Sequence, residues 1–139
     1  LQCVSGSGRV SEHLAGERKS ATVLCVYGQH LPCLLPQHGP GKKHTREIRL
    51  ELWQEGVVAE HPWLLLRGLI QSDGCRFINR TGKYAYPSYD FSNLSTGIKE
   101  IFADACARVG AECRPYKRGV RINAREAVAA FDVHVGPKR

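Results

Sequence analysis

The sequence predicts an α+β fold for residues 57–139, with helices and antiparallel strands in the order α-β-β-α-β-β-α. Two patterns support this prediction. An apolar stretch of helical character ends at Asp73-Gly74, and β-rich segments on both sides of 81–83 follow it directly. A second amphipathic helix, a second β-rich pair and a last helix complete the order. The chain has 139 residues, enough for one core and too few for two ordinary domains.

The first part of the chain carries weaker signals. Residues 1–20 are polar and rich in Gly and Ser, and we expect them to form a flexible N-terminal segment. Residues 21–56 predict a strand, a helical turn, a loop, an extended segment and a short helix. In that order, these elements are expected at 22–27, 31–35, 37–44, 46–52 and 53–60.

An internal match gives these early residues a second interpretation. Residues 24–43 align without gaps with residues 120–139, and both stretches give a strand, a helix-like stretch and an ending of His, Gly, Pro and Lys. The match is either a coincidence or the sign of an internal repeat. If it is a repeat, residues 21–56 are a partial first repeat with its connector, and residues 57–139 are a complete second one.

The apolar helix is predicted to begin at Pro62, because proline suits the first helical position, and to end at Asp73 with Gly74 as its cap. Gly68 inside a helix costs about 1 kcal/mol relative to alanine. Asp73 lies at the negative end of the helix dipole, where an anion is unfavourable. We therefore expect a close backbone approach at Gly68 and a cation beside Asp73. Two strands then form a hairpin, at 75–80 and 84–93.

Ser95 is predicted to cap the next helix, and Gly110 to end it. The apolar residues of this helix recur at helical spacing and are Ile98, Ile101, Phe102, Ala105 and Val109. A second hairpin follows, with strands at 114–116 and 120–122. Asn123 and Glu126 have the spacing of a capping box, and the last helix then runs to Gly136.

The stretch Leu66-Arg67-Gly68-Leu69-Ile70-Gln71-Ser72-Asp73-Gly74 resembles the signature of the LAGLIDADG homing endonuclease family. The resemblance covers residues 57–139 through the hairpin that follows, the order of the elements and Val135-Gly136-Pro137-Lys138. It implies a saddle-shaped antiparallel sheet in the major groove of double-stranded DNA. It also implies that two such helices pair through their small residues, here at Gly68 with its neighbour Leu69.

The same resemblance implies a catalytic site. Asp73 would bind Mg²⁺ at the scissile phosphate, since this hard cation prefers oxygen ligands, and Asn93 would position water. The metal would activate water and stabilise the leaving oxygen. Gln71 replaces an acid of the family signature that is not usually a metal ligand.

The formal charge of +7 favours a polyanionic partner. In the second strand of the first hairpin, Tyr89 and Phe91 should face the core and leave alternate residues outward. Lys83 and Lys117 at the hairpin tips suit phosphates, whereas Arg76, Asn79 and Arg80 have no assigned face. The full set of predicted DNA-binding residues is Arg76, Asn79, Arg80, Lys83, Tyr86, Ser88, Asp90, Arg114, Tyr116, Lys117 and Arg121.

The family's active centre needs two motif helices, and this chain supplies one. We expect DNA binding with Mg²⁺-dependent phosphodiester cleavage if a homodimer partner or another repeat supplies the second helix. The alternative is a non-catalytic DNA-binding or transcription-regulatory protein with the same fold.

No apolar run approaches the roughly 20 residues that span a bilayer, and residues 1–20 contain no signal-peptide core. We therefore expect no membrane association, a cytoplasmic location and six reduced cysteines. Five residues within a short stretch, Cys25, His30, Cys33, His38 and His44, could supply zinc ligands. Their spacing is not that of a paired zinc knuckle, so structural zinc is not the favoured interpretation.

Overall fold

A computed structural model describes residues 10–15, 21–26 and 30–136 of the chain. It shows an α+β fold with five helices and a four-stranded antiparallel sheet among these residues. The chain divides into two compact units, Leu1–Pro40 and Gly41–Arg139. None of the helices in the described ranges is long and apolar enough to cross a membrane.

The first unit contains a hairpin and a short helix. Strand β1 (Val10–Ala15) pairs antiparallel with strand β2 (Ala21–Val26), and helix α1 (Leu31–Leu34) follows. The strand and helical turn predicted here are confirmed. Strand β1 lies within the segment 1–20 and pairs with β2. That residues 1–20 are a flexible N-terminal segment stays a prediction. That residues 21–56 are a partial first repeat stays a prediction.

The second unit has the element order predicted from the apolar helix onward. A 3₁₀ turn comes first (Lys43–Thr45), and the elements after it are α2 (Leu52–Glu60), α3 (Pro62–Asp73), β3 (Gly74–Thr81), β4 (Tyr84–Ser92), α4 (Thr96–Arg108), β5 (Arg114–Tyr116), β6 (Gly119–Ile122) and α5 (Arg125–His134). Both hairpins and all four helices of 52–134 fall where the sequence places them, within one or two residues.

The four strands of this unit have the spatial order β3-β4-β6-β5, each pair antiparallel. Tyr89 lies opposite Arg76 on one side and Ile122 on the other, whereas Asp90 lies opposite Cys75 and Arg121. Because side chains alternate across a strand, these two rows belong to opposite faces of the sheet. We call the face of Tyr89 the helix-covered face and the face of Asp90 the polar face.

The core lies on the helix-covered face, where α3, α4 and α5 pack on the sheet. The rings of Phe91 and Phe102 stack with centroids 4.5 Å apart, and those of Tyr89 and Phe131 lie 5.3 Å apart. The fully buried residues of this core include Leu66, Ile70, Tyr89, Phe91, Phe102, Cys106, Val120, Ile122 and Phe131. Burying each large apolar side chain stabilises the fold by about 1.5–3 kcal/mol.

The predicted helix ends are mostly confirmed. Ser95 Oγ accepts a hydrogen bond from the Ile98 amide, and Gly110 ends α4 with a left-handed φ of 69°. The capping box at Asn123 is wrong, because α5 begins at Arg125 and its N-cap is Ala124, which makes no side-chain cap. Asn123 thus lies one residue before the N-cap position.

Gly74 joins α3 to β3 with no intervening loop. The sequence predicts a helix cap here, and Gly74 holds that position in extended backbone with φ −108°. A Cβ on Gly74 would lie 2.7 Å from Ile70 Cδ1 and 2.8 Å from Ile70 Cα. Glycine is required because the strand departs directly over the last turn of the helix, and this junction places Asp73 at the edge of the sheet.

Residues 46–51 form a connection without regular secondary structure, as the prediction of an extended segment at 46–52 allows. Ile48 in this connection is buried against the start of α4, where a Cβ on Gly97 would collide with the Ile48 carbonyl oxygen. The absence of a side chain at Gly97 lets the connection lie flat on α4.

Candidate catalytic carboxylate and nucleic-acid interface

Asp73, the last residue of α3, is held by Asn93, the residue after β4. Asn93 Nδ2 donates to Asp73 Oδ2 at 3.1 Å, while Asn93 Oδ1 accepts from the Ser95 amide at 2.9 Å. The backbone N–H of Asn93 also donates to the Arg118 carbonyl oxygen at 2.9 Å, and Asn93 is only 8% exposed. Its carboxamide is therefore fixed at both ends, and in this structure it orients the Asp73 carboxylate.

The carboxylate faces an open cleft of about 600 Å³. The residues that line it are Lys43, His44, Asp73, Ser92, Asn93, Leu94, Tyr116 and Arg118. Lys43 Nζ lies 3.8 Å from Asp73 Oδ2, which provides the cation that the sequence predicts beside Asp73. Both side chains are roughly half exposed, at 58% and 43%, so this pair contributes little stability, about 0–1 kcal/mol.

The cleft contains one carboxylate, and its other charged residues are cations. In the described ranges, no group of three or more His, Cys, Asp or Glu could hold a metal ion. Mg²⁺ is usually bound through one or two carboxylates together with waters and substrate phosphates. Asp73 Oδ1 accepts no hydrogen bond from the described residues. Asp73 therefore fits one protein ligand of a site that a second chain or a phosphate completes.

The five residues considered for zinc do not form a metal-binding group within the described ranges. His38 lies just after α1, and its Nδ1 is 3.1 Å from the Leu35 carbonyl oxygen. The five described cysteines, Cys25, Cys33, Cys75, Cys106 and Cys113, are free thiols, and Cys3 lies outside the described residues. Burial raises the pKa of the Cys106 thiol, which makes it an unreactive core residue.

The two residues predicted to pair motif helices lie on different sides of α3. Gly68 is exposed, and a Cβ there would meet no atom of the described residues within 4 Å. Leu64, one turn earlier, is 65% exposed. Leu69 instead packs against the core of its own chain. Leu64 and Gly68 thus lie on the outward side of α3, whereas Leu69 lies towards the core. That Gly68 and Leu69 pair two motif helices stays a prediction.

The predicted DNA-binding residues divide between the two faces and the hairpin tips. Alternation places seven on the polar face: Asn79, Tyr86, Ser88, Asp90, Arg114, Tyr116 and Arg121. It places Arg76 and Arg80 on the other face, and Lys83 and Lys117 lie in the two hairpin turns. Tyr86 is 52% exposed, and Lys83 Nζ lies 5.4 Å from the centroid of the Tyr84 ring.

Arg76 is engaged within the protein. Its Nε donates to Asp132 Oδ1 at 2.7 Å and its Nη2 donates to Asp132 Oδ2 at 2.9 Å, while Tyr89 OH donates to the same Oδ1 at 2.7 Å. The hydrogen bond from Arg76 is the main reason that the pKa of Asp132 is lowered. Arg76 therefore ties β3 to α5 and lies away from the polar face, which removes it from the predicted interface.

Ser88 and Asp90 were expected to face outward, and both are buried on the polar face, at 0% and 8% exposure. The Asp90 carboxylate accepts hydrogen bonds from Arg121 Nε at 2.9 Å, Tyr116 OH at 2.8 Å and Ser92 Oγ at 3.0 Å. Neighbouring side chains thus cover these two residues, so a ligand on this face would meet Arg121 and Tyr116 before Asp90. The hydrogen bond to Asp90 raises the pKa of Arg121.

Sequence reasoning missed Lys43, His44 and Arg118 as residues of the cleft. The sequence shows runs of basic residues around 42–49 and 114–125, but a run does not reveal which of its residues lies close to Asp73.

Comparisons of the chain with protein-family models, with curated proteins and with solved structures find no match. The function of the chain is therefore inferred from its residues and their geometry.

Proposed function

We propose that this protein binds double-stranded DNA along the polar face and that two copies together hydrolyse a phosphodiester bond with Mg²⁺ at Asp73. The observation that carries the proposal is the Asp73 carboxylate, fixed by Asn93 in a cationic cleft beside the polar face. Ser92 and Tyr116 belong to both the cleft and this face, so a strand of DNA on the face can reach the carboxylate. The motif and the element order support a LAGLIDADG-type arrangement.

Charge supports a nucleic-acid partner. Lys43 and Arg118 in the cleft are placed to bind the oxygens of a phosphodiester, and Lys83 and Lys117 extend the positive charge to both hairpin tips. Neutralised phosphates supply much of the affinity for DNA, whereas base edges are read by side chains in the groove. The exposed residues of the polar face, such as Tyr86, have the hydrogen-bonding groups for that second role.

The chemistry follows from the roles of the cleft residues. Asp73 would be the protein ligand of Mg²⁺, and Asn93 keeps the carboxylate in one orientation. When bound, Mg²⁺ supplies a Lewis acid and lowers the pKa of coordinated water. Lys43 and Arg118 would hold the phosphate and offset its charge.

The proposal requires a second chain, because the cleft contains a single carboxylate. The outward side of α3 is suited to a partner, since Leu64 is 65% exposed and Gly68 allows close backbone approach. On α2, the large side chains of Leu52, Trp53 and Val57 are also exposed. A homodimer through this surface would bring two Asp73 residues into one active centre.

A cytoplasmic location stays a prediction.

A non-catalytic DNA-binding protein is the second candidate. The observation that favours it is the short distance, 3.8 Å, between Lys43 Nζ and Asp73 Oδ2. The ammonium group already neutralises the carboxylate there, as a metal ion would. In a monomer this pair would leave the carboxylate without catalytic use.

Light scattering and plasmid nicking separate the two candidates. We expect a dimer that nicks supercoiled plasmid with Mg²⁺, and we expect Asp73→Asn to abolish nicking while duplex binding remains. Asp104→Asn, a change of an exposed carboxylate on α4, should leave nicking intact. A monomer that binds duplex without Asp73-dependent nicking would support the non-catalytic candidate, and absence of duplex binding would contradict both.

A further inference from the structure

Arg121 is the most firmly held cation of the polar face. It lies on β6, opposite Asp90 of β4 and Arg114 of β5. Arg121 Nε donates to Asp90 Oδ1 at 2.9 Å, and Asp90 is itself fixed by Tyr116 and Ser92. The carboxylate that anchors the arginine is therefore rigid, because three donors from three segments of chain converge on it.

Two aromatic rings restrict the guanidinium further. Arg121 Cζ lies 5.5 Å from the centroid of the Phe77 ring and 5.2 Å from that of Tyr116. Contacts of this length between a guanidinium and a ring are attractive and favour a defined orientation. Phe77 comes from β3 and Tyr116 from β5, so side chains of the two outer strands flank one arginine near the middle of the sheet.

Neither Nη atom of Arg121 is bound to a carboxylate of the described residues. Asp90 accepts from Nε, and the Tyr116 hydroxyl, which donates to Asp90, also interacts with the guanidinium. The side chain is 40% exposed. The Nη groups present parallel donors in a planar fork, which matches the paired acceptors O6 and N7 of guanine in the major groove.

Charge distinguishes a base from a phosphate as the ligand. The anion Asp90 offsets the charge of Arg121 at the surface, which weakens its attraction for a phosphate and leaves its directional donors intact. Lys83 and Lys117, which have no such carboxylate partner among the described residues, lie at the hairpin tips, where a groove-bound sheet meets the phosphates. Arg121 lies on an inner strand, where a groove-bound sheet would meet the base edges.

We propose that Arg121 reads a guanine through its Nη groups and that Asp90, Phe77 and Tyr116 are the residues that position it. This inference rests on the proposed binding of DNA by the polar face. It holds for both candidate functions, since it requires no cleavage.

Selection of bound duplexes from a randomised library tests the inference. The wild-type protein should select a guanine at one position, and Arg121→Gln should lose that preference while preferences elsewhere remain. Replacing this guanine in a single duplex should weaken wild-type binding about tenfold or more. The same replacement should have little effect on binding by Arg121→Gln. Asp90→Asn should weaken the preference while leaving the arginine in place.

Two controls make the outcome decisive. Arg76→Gln changes an arginine of the other face and should retain the guanine preference. Arg121→Lys keeps the charge but not the fork, so it should lose the preference. If Arg121→Gln weakens all duplexes equally, Arg121 contacts phosphate and the inference is overturned, as it is by an unchanged base profile. Failure of the wild-type protein to bind duplex would overturn the proposed function as well.

Discussion

Arg76 and Arg121 lie on opposite faces of one sheet and have the same kinds of partner, an aspartate and a tyrosine. Asp132 takes Nε and Nη2 of Arg76, so the fork is occupied and the residue joins a strand to a helix. Asp90 takes only Nε of Arg121 and leaves both Nη groups directed elsewhere. The nitrogens that the carboxylate occupies thus decide whether an arginine supports packing or can serve a ligand.

The largest difference in stability is expected between substitutions of two tyrosines of β4 that lie on opposite faces of the sheet. Tyr89 is 0% exposed on the helix-covered face, and Tyr86 is 52% exposed. We expect Tyr89→Ala to lower the free energy of unfolding by about 3–5 kcal/mol, as for large core truncations. Tyr86→Ala should change it by about 0.5 kcal/mol or less. Urea denaturation measures both values, and similar losses would break the distinction between the faces.

A smaller difference in the free energy of unfolding is expected between the variants Arg76→Gln and Arg121→Gln. Arg76→Gln removes two charge-assisted hydrogen bonds to Asp132 and should lower the free energy of unfolding by about 1–2 kcal/mol. Exposure of Arg76 at 31% and Asp132 at 39% keeps this value modest, because solvent screens the pair. Arg121→Gln removes one such bond, but the Asp90 side chain it leaves is only 11% exposed, so we expect a loss of similar size. Thermal or urea unfolding in which Arg76→Gln costs no stability would contradict its role in joining β3 to α5.

The stability that Arg76 contributes through Asp132 should also depend on pH. The pKa of Asp132 is lowered from its ordinary value of 3.8, chiefly by the hydrogen bond from Arg76. The stability from this pair is therefore present above pH 3.8 and is lost as the pH falls through the lowered pKa of the folded state. We expect the difference in unfolding free energy between wild type and Arg76→Gln to shrink steadily below pH 3.8. A difference that stays constant to pH 2 would show that the Asp132 pair is not its source.

Local patterns predicted the elements, and long-range contacts decided the site. The stripe from Ile98 to Val109 and the two hairpin turns are visible in the sequence because spacing and turn chemistry act over a few residues. Arg76 and Asp132 are 56 residues apart, and Arg121 and Asp90 are 31 apart, so no periodicity reveals which arginine finds which aspartate.

The candidate site shows the same limit. The sequence pointed to Asp73 because an anion at the C-terminal end of a helix is unfavourable without a nearby cation. The predicted cation is Lys43. That Lys43 supplies it depends on the connection at 46–51 lying flat on Gly97, which is a matter of tertiary packing. Strand alternation gave the right face for Tyr89 and Phe91, yet it could not show that neighbouring side chains bury Ser88 and Asp90.

Thiol alkylation in the presence of duplex DNA tests whether the polar face lies on DNA. Cys75 is exposed on this face, opposite Asp90, and Ala129 is exposed on α5. In the variant Ala129→Cys, mass spectrometry can follow alkylation of both thiols in one sample. Saturating duplex should slow alkylation of Cys75 at least several-fold and leave the thiol at position 129 unchanged. Equal rates at Cys75 with and without bound duplex, or protection of position 129 instead, would contradict the account.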